Sequence, residues 1–314
     1  MALSDLLSIE AAGTKEFDIT PELLKEHLDD YRHIIAYWRM YPDRLVDYYC
    51  SLNPDNTFHF YWYQRLMLRA MLRHTYCYMV FCRAYSKSFI GVMSLMIKGI
   101  LYPGLQMFTV AEGKAQSAQI LQDKILEICK LIPAMSKEIL WDTRGRTETT
   151  RQTKDSVVYS FRNGSKLENI VAGEKTRGRR FHAGNMEEAA TLDQDMLQQV
   201  VIPTLNVPRT VNGKVDPNEV VNQSQCYITS AGYKNTFAYD KLIETLCQSV
   251  AVPKKAFILG GDFRVPVRFG AFQKTFLRDL RADGTFNEAT FDREYKQKLY
   301  SINTENCWNF LRAA

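Results

Sequence analysis

From Phe58 onward, short β-rich apolar runs alternate with longer stretches that carry the apolar spacing of helices. That alternation restricts the fold more than any other feature of the chain. The spacing predicts a helix over Phe60 to Arg73, then a strand over Thr75 to Cys82 (TYCYMVFC). The strand has no polar alternation, as expected where both faces of a parallel sheet are covered. A polar turn leads to a helix over Ser88 to Ile100, a strand over Gln106 to Val110 and a long helix over Gly113 to Ile132. Ser156 to Phe161 and Lys166 to Val171 flank Asn163-Gly164, a hairpin signal. A helix capped by Asp193 and ended by Pro203 is expected next, then a strand over Gln225 to Thr229 and a helix over Phe237 to Ser249. Ala256 to Leu259 and Phe263 to Val267 read as extended, and Phe291 onward as short and helical. The predicted class is α/β, a mostly parallel sheet flanked by helices, with its functional residues at the carboxyl ends of the strands.

The chain before this region is different. Residues 1–19 read as weakly structured, and Thr20-Pro21-Glu22 reads as a helix start, with a hydroxyl cap, proline in the first turn and an acid behind it. Helical patterning runs to about Tyr49, with a break near Pro42. Its aromatics (Tyr31, Tyr37, Trp38, Tyr41, Tyr48 and Tyr49) are expected to pack into a core. Residues 1–55 thus form a helical N-terminal or lid region, 56–270 the α/β domain, and 271–314 its closing stretch.

Composition excludes some classes. Forty basic residues against 35 acidic ones give a net charge of +5, which permits nucleic-acid binding without demanding it. Seven widely spaced cysteines with no CxxC suggest neither a disulfide framework nor a zinc site. The most apolar stretch, Phe89 to Phe108, carries Lys98, Pro103 and three glycines, so a buried helix, turn and strand are expected there and no membrane span. A cytosolic protein is the expectation. Trp141 to Lys154 reads as a loop or exposed hairpin.

Five short segments could carry chemistry. Arg83-Ala84-Tyr85-Ser86-Lys87-Ser88 follows the first strand and opens a helix, the layout of a phosphate-binding loop. Lysine there can reach phosphates and the next hydroxyl can hold Mg²⁺, though a basic turn capping a helix would look the same. Glu187-Glu188 is either a metal-and-water carboxylate pair or the solvated first turn of a helix, preceded by a weak strand at His182 to Met186. Thr176 to Arg180 holds three arginines that suit a phosphate patch, an arginine finger or a solvated loop. Thr229-Ser230-Ala231-Gly232 ends a strand with small residues, and Tyr63-Gln64 offers a ring and an amide upstream of the first strand.

Taken in order, these segments resemble the large subunit of phage terminases over residues 55–300. The resemblance implies a P-loop NTPase fold of the ASCE/RecA-like kind and an ATPase that drives double-stranded DNA into a procapsid. It makes Tyr63-Gln64 the adenine motif and Arg83 to Ser88 a deviant Walker A, with Lys87 on the phosphates, Ser88 on Mg²⁺ and Arg83 a γ-phosphate sensor. Glu187 becomes the Mg²⁺ carboxylate, Glu188 the catalytic one, and Arg177, then Arg180, the finger reaching a neighbouring subunit. Thr229 to Gly232 becomes the motif that couples hydrolysis to movement, and Gly284 to Asn287 with Phe291 to Tyr295 the end of the ATPase region. The chain departs from the family pattern in two respects: the loop lacks glycine, and glutamate stands where aspartate is usual.

Implied with these are ATP and Mg²⁺ as cofactors, a homo-oligomeric ring, a portal protein and a small terminase subunit as partners, and the host cytoplasm as location. DNA contacts would fall on phosphates, with Arg144 to Lys154 and Lys166 to Arg180 as candidates. Asp262 after FILGGD could mimic a first nuclease acid, but no acidic strands follow and no nuclease activity is expected. The alternatives are another helicase-like nucleic-acid ATPase and a degenerate, non-catalytic P-loop assembly protein.

Overall fold

The computed structural model describes residues 21–141, 150–234, 236–283, 287–301 and 304–309. Three helices open it: α1 (Pro21–Glu26), α2 (Leu28–Met40) and α3 (Pro42–Ser51). The break falls at Tyr41-Pro42, where proline begins the new helix in the position that needs no N–H. Residues 1–19 and the Thr20 cap lie outside the described residues. There follow α4 (Trp62–Arg73), β1 (Tyr76–Phe81), α5 (Lys87–Leu101), β2 (Gln106–Ala111) and α6 (Lys114–Leu131). Beyond them come β3 (Arg151–Gln152), β4 (Val157–Ser160), β5 (Lys166–Val171), β6 (Ala183–Glu187), β7 (Ser224–Thr229), α7 (Phe237–Ala251), β8 (Ala256–Gly261) and α8 (Glu288–Glu294).

One eight-stranded sheet holds the chain together, in the order β8-β1-β7-β6-β2-β5-β4-β3. The strands from β8 to β5 pair in parallel, and the β4–β5 hairpin adds an antiparallel edge that turns at Asn163-Gly164, as its sequence predicts. The period-2 alternation of β1 divides its side chains between two cores. Cys77, Met79 and Phe81 face the helices α3 to α6, while Tyr78 and Val80 face α7. Leu45, Val46 and Tyr49 of α3 belong to the first of these cores, with Ile35 and Trp38 of α2 packed partly buried against it, so α3 shares the core of the α/β region.

Several readings change. The weak strand at 182–186 is central strand β6, fully buried. It needs no apolar run because its neighbours fill the space. A Cβ on Gly184 would lie 2.2 Å from the Phe108 ring, so the ring occupies the place of a side chain. Pro203 does not end its helix. Asp193 caps the helix as read, but the chain then passes through a π turn (Leu197–Val201) into a 3-10 turn (Ile202–Leu205) that admits proline in its first positions. Arg264–Arg268 is helical, not extended, because the Asp262 carboxylate accepts the Arg264 backbone N–H and turns the chain. After α8 the chain forms an antiparallel hairpin, Lys298–Ser301 with Thr304–Asn309. Tyr31, Tyr37 and Tyr41 are exposed, and α2 buries none of its residues. Tyr49 alone of the six aromatics is buried, its hydroxyl on Glu138 at 2.8 Å.

Candidate functional site

The turn between β1 and α5 meets its conformational demand without glycine. Ala84 and Ser86 both lie in the left-handed region, at φ 61° and 58°, where a Cβ is strained. An aromatic seat holds the turn in place. Tyr85 is buried, its ring 4.3 Å from Phe81 in a stack and 4.8 Å from Tyr63 edge-on. From below, Gln64 donates through Nε2 to Ser86 Oγ at 3.2 Å while its Oε1 caps α4 by accepting the Tyr61 N–H. Tyr63 is 2% exposed, so its ring supports Tyr85 and presents no stacking surface to a base in this structure. Gln64 is also buried but lines the cavity beside the turn.

Lys87 and Ser88 open α5 and reach towards other strands. Lys87 Nζ donates to Ser230 Oγ at 2.8 Å and to the Phe81 carbonyl at 3.4 Å. Ser88 Oγ donates to Glu187 Oε2 at 3.0 Å. The close approach of α5 to β6 makes that bond possible. A Cβ on Gly91 would stand 2.7 Å from Ile228 Cδ1 and 2.9 Å from Glu187 Oε1, and Asn185 Nδ2 bonds the Gly91 carbonyl at 2.8 Å. Asn185 thus pins the helix that carries Ser88 to the strand that carries Glu187.

Glu187 is buried, and its carboxyl is pushed up to about 7. Burial is the main cause; the Ser88 hydrogen bond and Lys87 pull it down, and Glu188 pushes it up. Its Oε1 has no hydrogen-bond partner, an orphan that a cation beside Ser88 would satisfy. Glu188 follows at φ 49°, a turned conformation that carries it to the sheet's lip. Ser88 with the orphaned Glu187 oxygen is thus a position the geometry offers a cation, although among the described residues no group of three or more His, Cys, Asp or Glu could hold a metal.

Two cavities meet at the turn. One, of about 610 Å³, is lined by Phe58, Gln64, Ser86, Ser88 and Lys124. The other, of about 480 Å³, is lined by Glu112, Gln116, Glu188, Ser230 and Arg293. Arg83 and Lys87 line both. A phosphate chain on the turn would therefore have room on either side.

Thr229 ends β7, and Ser230, Ala231 and Gly232 line the second cavity. A C-terminal segment, unread in the sequence as part of the site, latches onto both this motif and the turn. Arg83 Nε meets Glu294 Oε2 at 3.0 Å, and the Arg83 N–H meets the Glu294 carbonyl at 3.2 Å. Gln297 Oε1 accepts the Ala231 N–H at 2.8 Å, and Arg293 bonds the Tyr233 hydroxyl at 2.8 Å. Sequence reasoning also passed over Glu112, Gln116 and Asn185. The position of Glu112 just past a predicted strand was the available signal for it.

Arg177 is not brought to this site. It lies on the loop after β5, exposed and ion-paired with Glu174. From β1 to β5 the sheet order passes β7, β6 and β2, four spacings or about 19 Å. Arg180 is likewise exposed, and Arg179 pairs with Glu168 at 2.9 Å. Of the two basic stretches, Lys166, Arg177, Arg179 and Arg180 are on the surface, whereas 144–149 lie outside the described residues, as do 284–286 of the closing motif. Asp262 is buried and held by Arg264 at 2.6 Å, in use as a turn cap. No described helix is long and apolar enough to cross a membrane.

No family profile matches the sequence, and no curated protein matches it significantly. Solved structures do match in shape. The Thermus phage P74-26 large terminase ATPase domain superposes with TM-score 0.53 at 14% identity, covering 76% of this chain and 94% of that one. The HK97 bacteriophage large terminase gives TM-score 0.53 at 12% identity, covering 76% of this chain and 50% of that one. The large terminase of a thermophilic bacteriophage in complex with ADP gives 0.50 at 11% identity, covering 76% and 53%. The chain thus spans about half the length of these last two large terminases. At such identities the likeness shows the fold alone, a mostly parallel, helix-flanked sheet like that of large terminase ATPase domains.

Proposed function

We propose that this chain is an ATP-hydrolysing motor domain of the large terminase kind. The observation that carries the reading is the bond from Ser88 to the buried, half-orphaned Glu187, beside Lys87 in a left-handed turn at a strand end. That constellation joins the hydroxyl, carboxylate and lysine that phosphoryl transfer requires. ATP would lie across the turn, with Lys87 and Arg83 on its phosphates and its base on the side of Gln64 and Phe58. Ser88 and Glu187 would hold Mg²⁺, which supplies charge neutralisation at the phosphates. Glu188 faces the second cavity and accepts the proton of the attacking water. Ser230, bonded to Lys87, and its neighbours through Gly232 report the state of the phosphates to the C-terminal segment through Gln297 and Arg293.

Because Arg177 sits about four strands from its own turn, it would serve a neighbouring subunit, which a homo-oligomeric ring around double-stranded DNA provides; Arg180 is the second choice. DNA translocation into a procapsid, a portal protein and a small terminase subunit as partners, and the host cytoplasm complete the reading. ATP turnover measured with Mg²⁺, DNA and protein concentrated enough for rings tests it. Wild-type protein should hydrolyse ATP, and Lys87→Ala and Glu188→Gln should each lose at least about 100-fold. Absence of wild-type turnover would leave the non-catalytic assembly protein as the better reading. Full turnover in either variant would reject the site assignment.

A further inference from the structure

Glu112 and Gln116 have no assigned task, and their placement gives them one. Strands β2 and β6 run in parallel register with Val110 opposite Met186. Both strands therefore deliver the residues that follow them, Glu112 and Glu188, to the same end of the sheet, where both line one cavity. Gln116 stands in the first turn of α6, close over Gly113, on the same side. Both side chains line the 480 Å³ cavity together with Glu188, Lys87, Arg83 and Arg293. The basic wall is engaged: Lys87 bonds Ser230, Arg83 bonds Glu294 and Arg293 bonds Tyr233. Glu112 and Gln116, both exposed, make no side-chain hydrogen bond or ion pair with any described residue.

We infer that Glu112 and Gln116 form the water-holding wall of the hydrolysis site, an inference that rests on the ATPase reading. An attacking water must present a lone pair to the γ-phosphorus while both its protons are held elsewhere. Glu188 can accept one proton. Glu112 accepts the hydrogen bond of the other, and the Gln116 amide, both donor and acceptor, fixes the oxygen between them. In the step the water oxygen bonds to the γ-phosphorus. The bridging P–O bond breaks with its electron pair left on the ADP β-phosphate oxygen, and one water proton passes to Glu188. The other stays on the new phosphate oxygen, hydrogen-bonded to Glu112.

Steady-state ATP hydrolysis by Glu112→Ala, Gln116→Ala and the double variant tests this, alongside binding of a fluorescent ADP analogue and thermal unfolding. Each single variant should lose about 10- to 100-fold in kcat, with KM and analogue affinity within about twofold of wild type. The double variant should be little worse than the poorer single one, since both residues hold one water. Glu112→Asp should recover part of the loss. If wild type turns over and both single variants keep more than half its kcat, this inference fails while the ATPase reading stands. If kcat falls only together with analogue affinity or the unfolding temperature, the residues are structural and the inference is overturned. If wild type has no turnover, both readings fall.

Discussion

Replacing Glu187 with glutamine separates what the fold tolerates from what the chemistry needs. The carboxyl is raised from its ordinary 4.5 to about 7, mainly by burial. That difference corresponds to about 3 kcal/mol of preference for the neutral form. A raised carboxyl contributes stability that is fully present below about pH 4.5 and lost as pH rises through about 7. Above that, the folded chain holds a charge that the unfolded chain would hydrate. Glutamine keeps the shape, can still accept from Ser88 and carries no charge at any pH. In Mg²⁺-free buffer Glu187→Gln should therefore be more stable than wild type at about pH 8, by up to about 3 kcal/mol or roughly 6 °C in unfolding temperature. The gap should shrink steadily towards about pH 5. The same variant should lose Mg²⁺-dependent ATP turnover. Calorimetry or denaturant titration across that pH range is the assay. A variant less stable than wild type at about pH 8, or a gap that does not change with pH, would refute the electrostatic account of this strand end.

Two further outcomes follow from the same reasoning. Ala84, exposed and at φ 61°, should gain roughly 0.5–1 kcal/mol on replacement by glycine, read as a higher urea midpoint with unchanged slope. Lys98 is fully buried on α5, where it bonds Ser224 Oγ at 2.8 Å; burial lowers its pKa, against weaker raising effects of Cys226 and Cys77. A lowered lysine costs stability below its ordinary 10.5, so Lys98→Met should gain on wild type at neutral pH and lose that gain as the buffer approaches about pH 10. Parallel unfolding curves for the two proteins would show otherwise.

The alternation of strands and helices was legible because each buried element spends its residues on one period. β1 reads as a strand since all its side chains after Tyr76 are covered, and α5 as a helix since it is apolar almost throughout. β6 was poorly legible because its space is filled by others: the Phe108 ring over Gly184, and Asn185 on the Gly91 carbonyl. Hydropathy sees only a residue's own side chain. The turn between β1 and α5 was legible in placement but not in how it is held. Ala84 and Ser86 hide the left-handed turn that glycine would announce, and Tyr85, Phe81 and Tyr63 hold it through contacts distant in sequence. The latch from Glu294 was invisible for the same reason, as no local pattern marks a glutamate for an arginine on another element.

That latch bears on how the site comes into being. The Arg83–Glu294 pair joins residues 211 positions apart. On a ribosome adding about 5–20 residues per second, the turn emerges roughly 10–40 s before its partner does. The sheet's early strands can pair meanwhile, but the strained turn waits for its last tether. The proposed nucleotide site is thus among the last parts of the domain to be completed, and if it binds ATP, that affinity should appear during refolding after most secondary structure has formed.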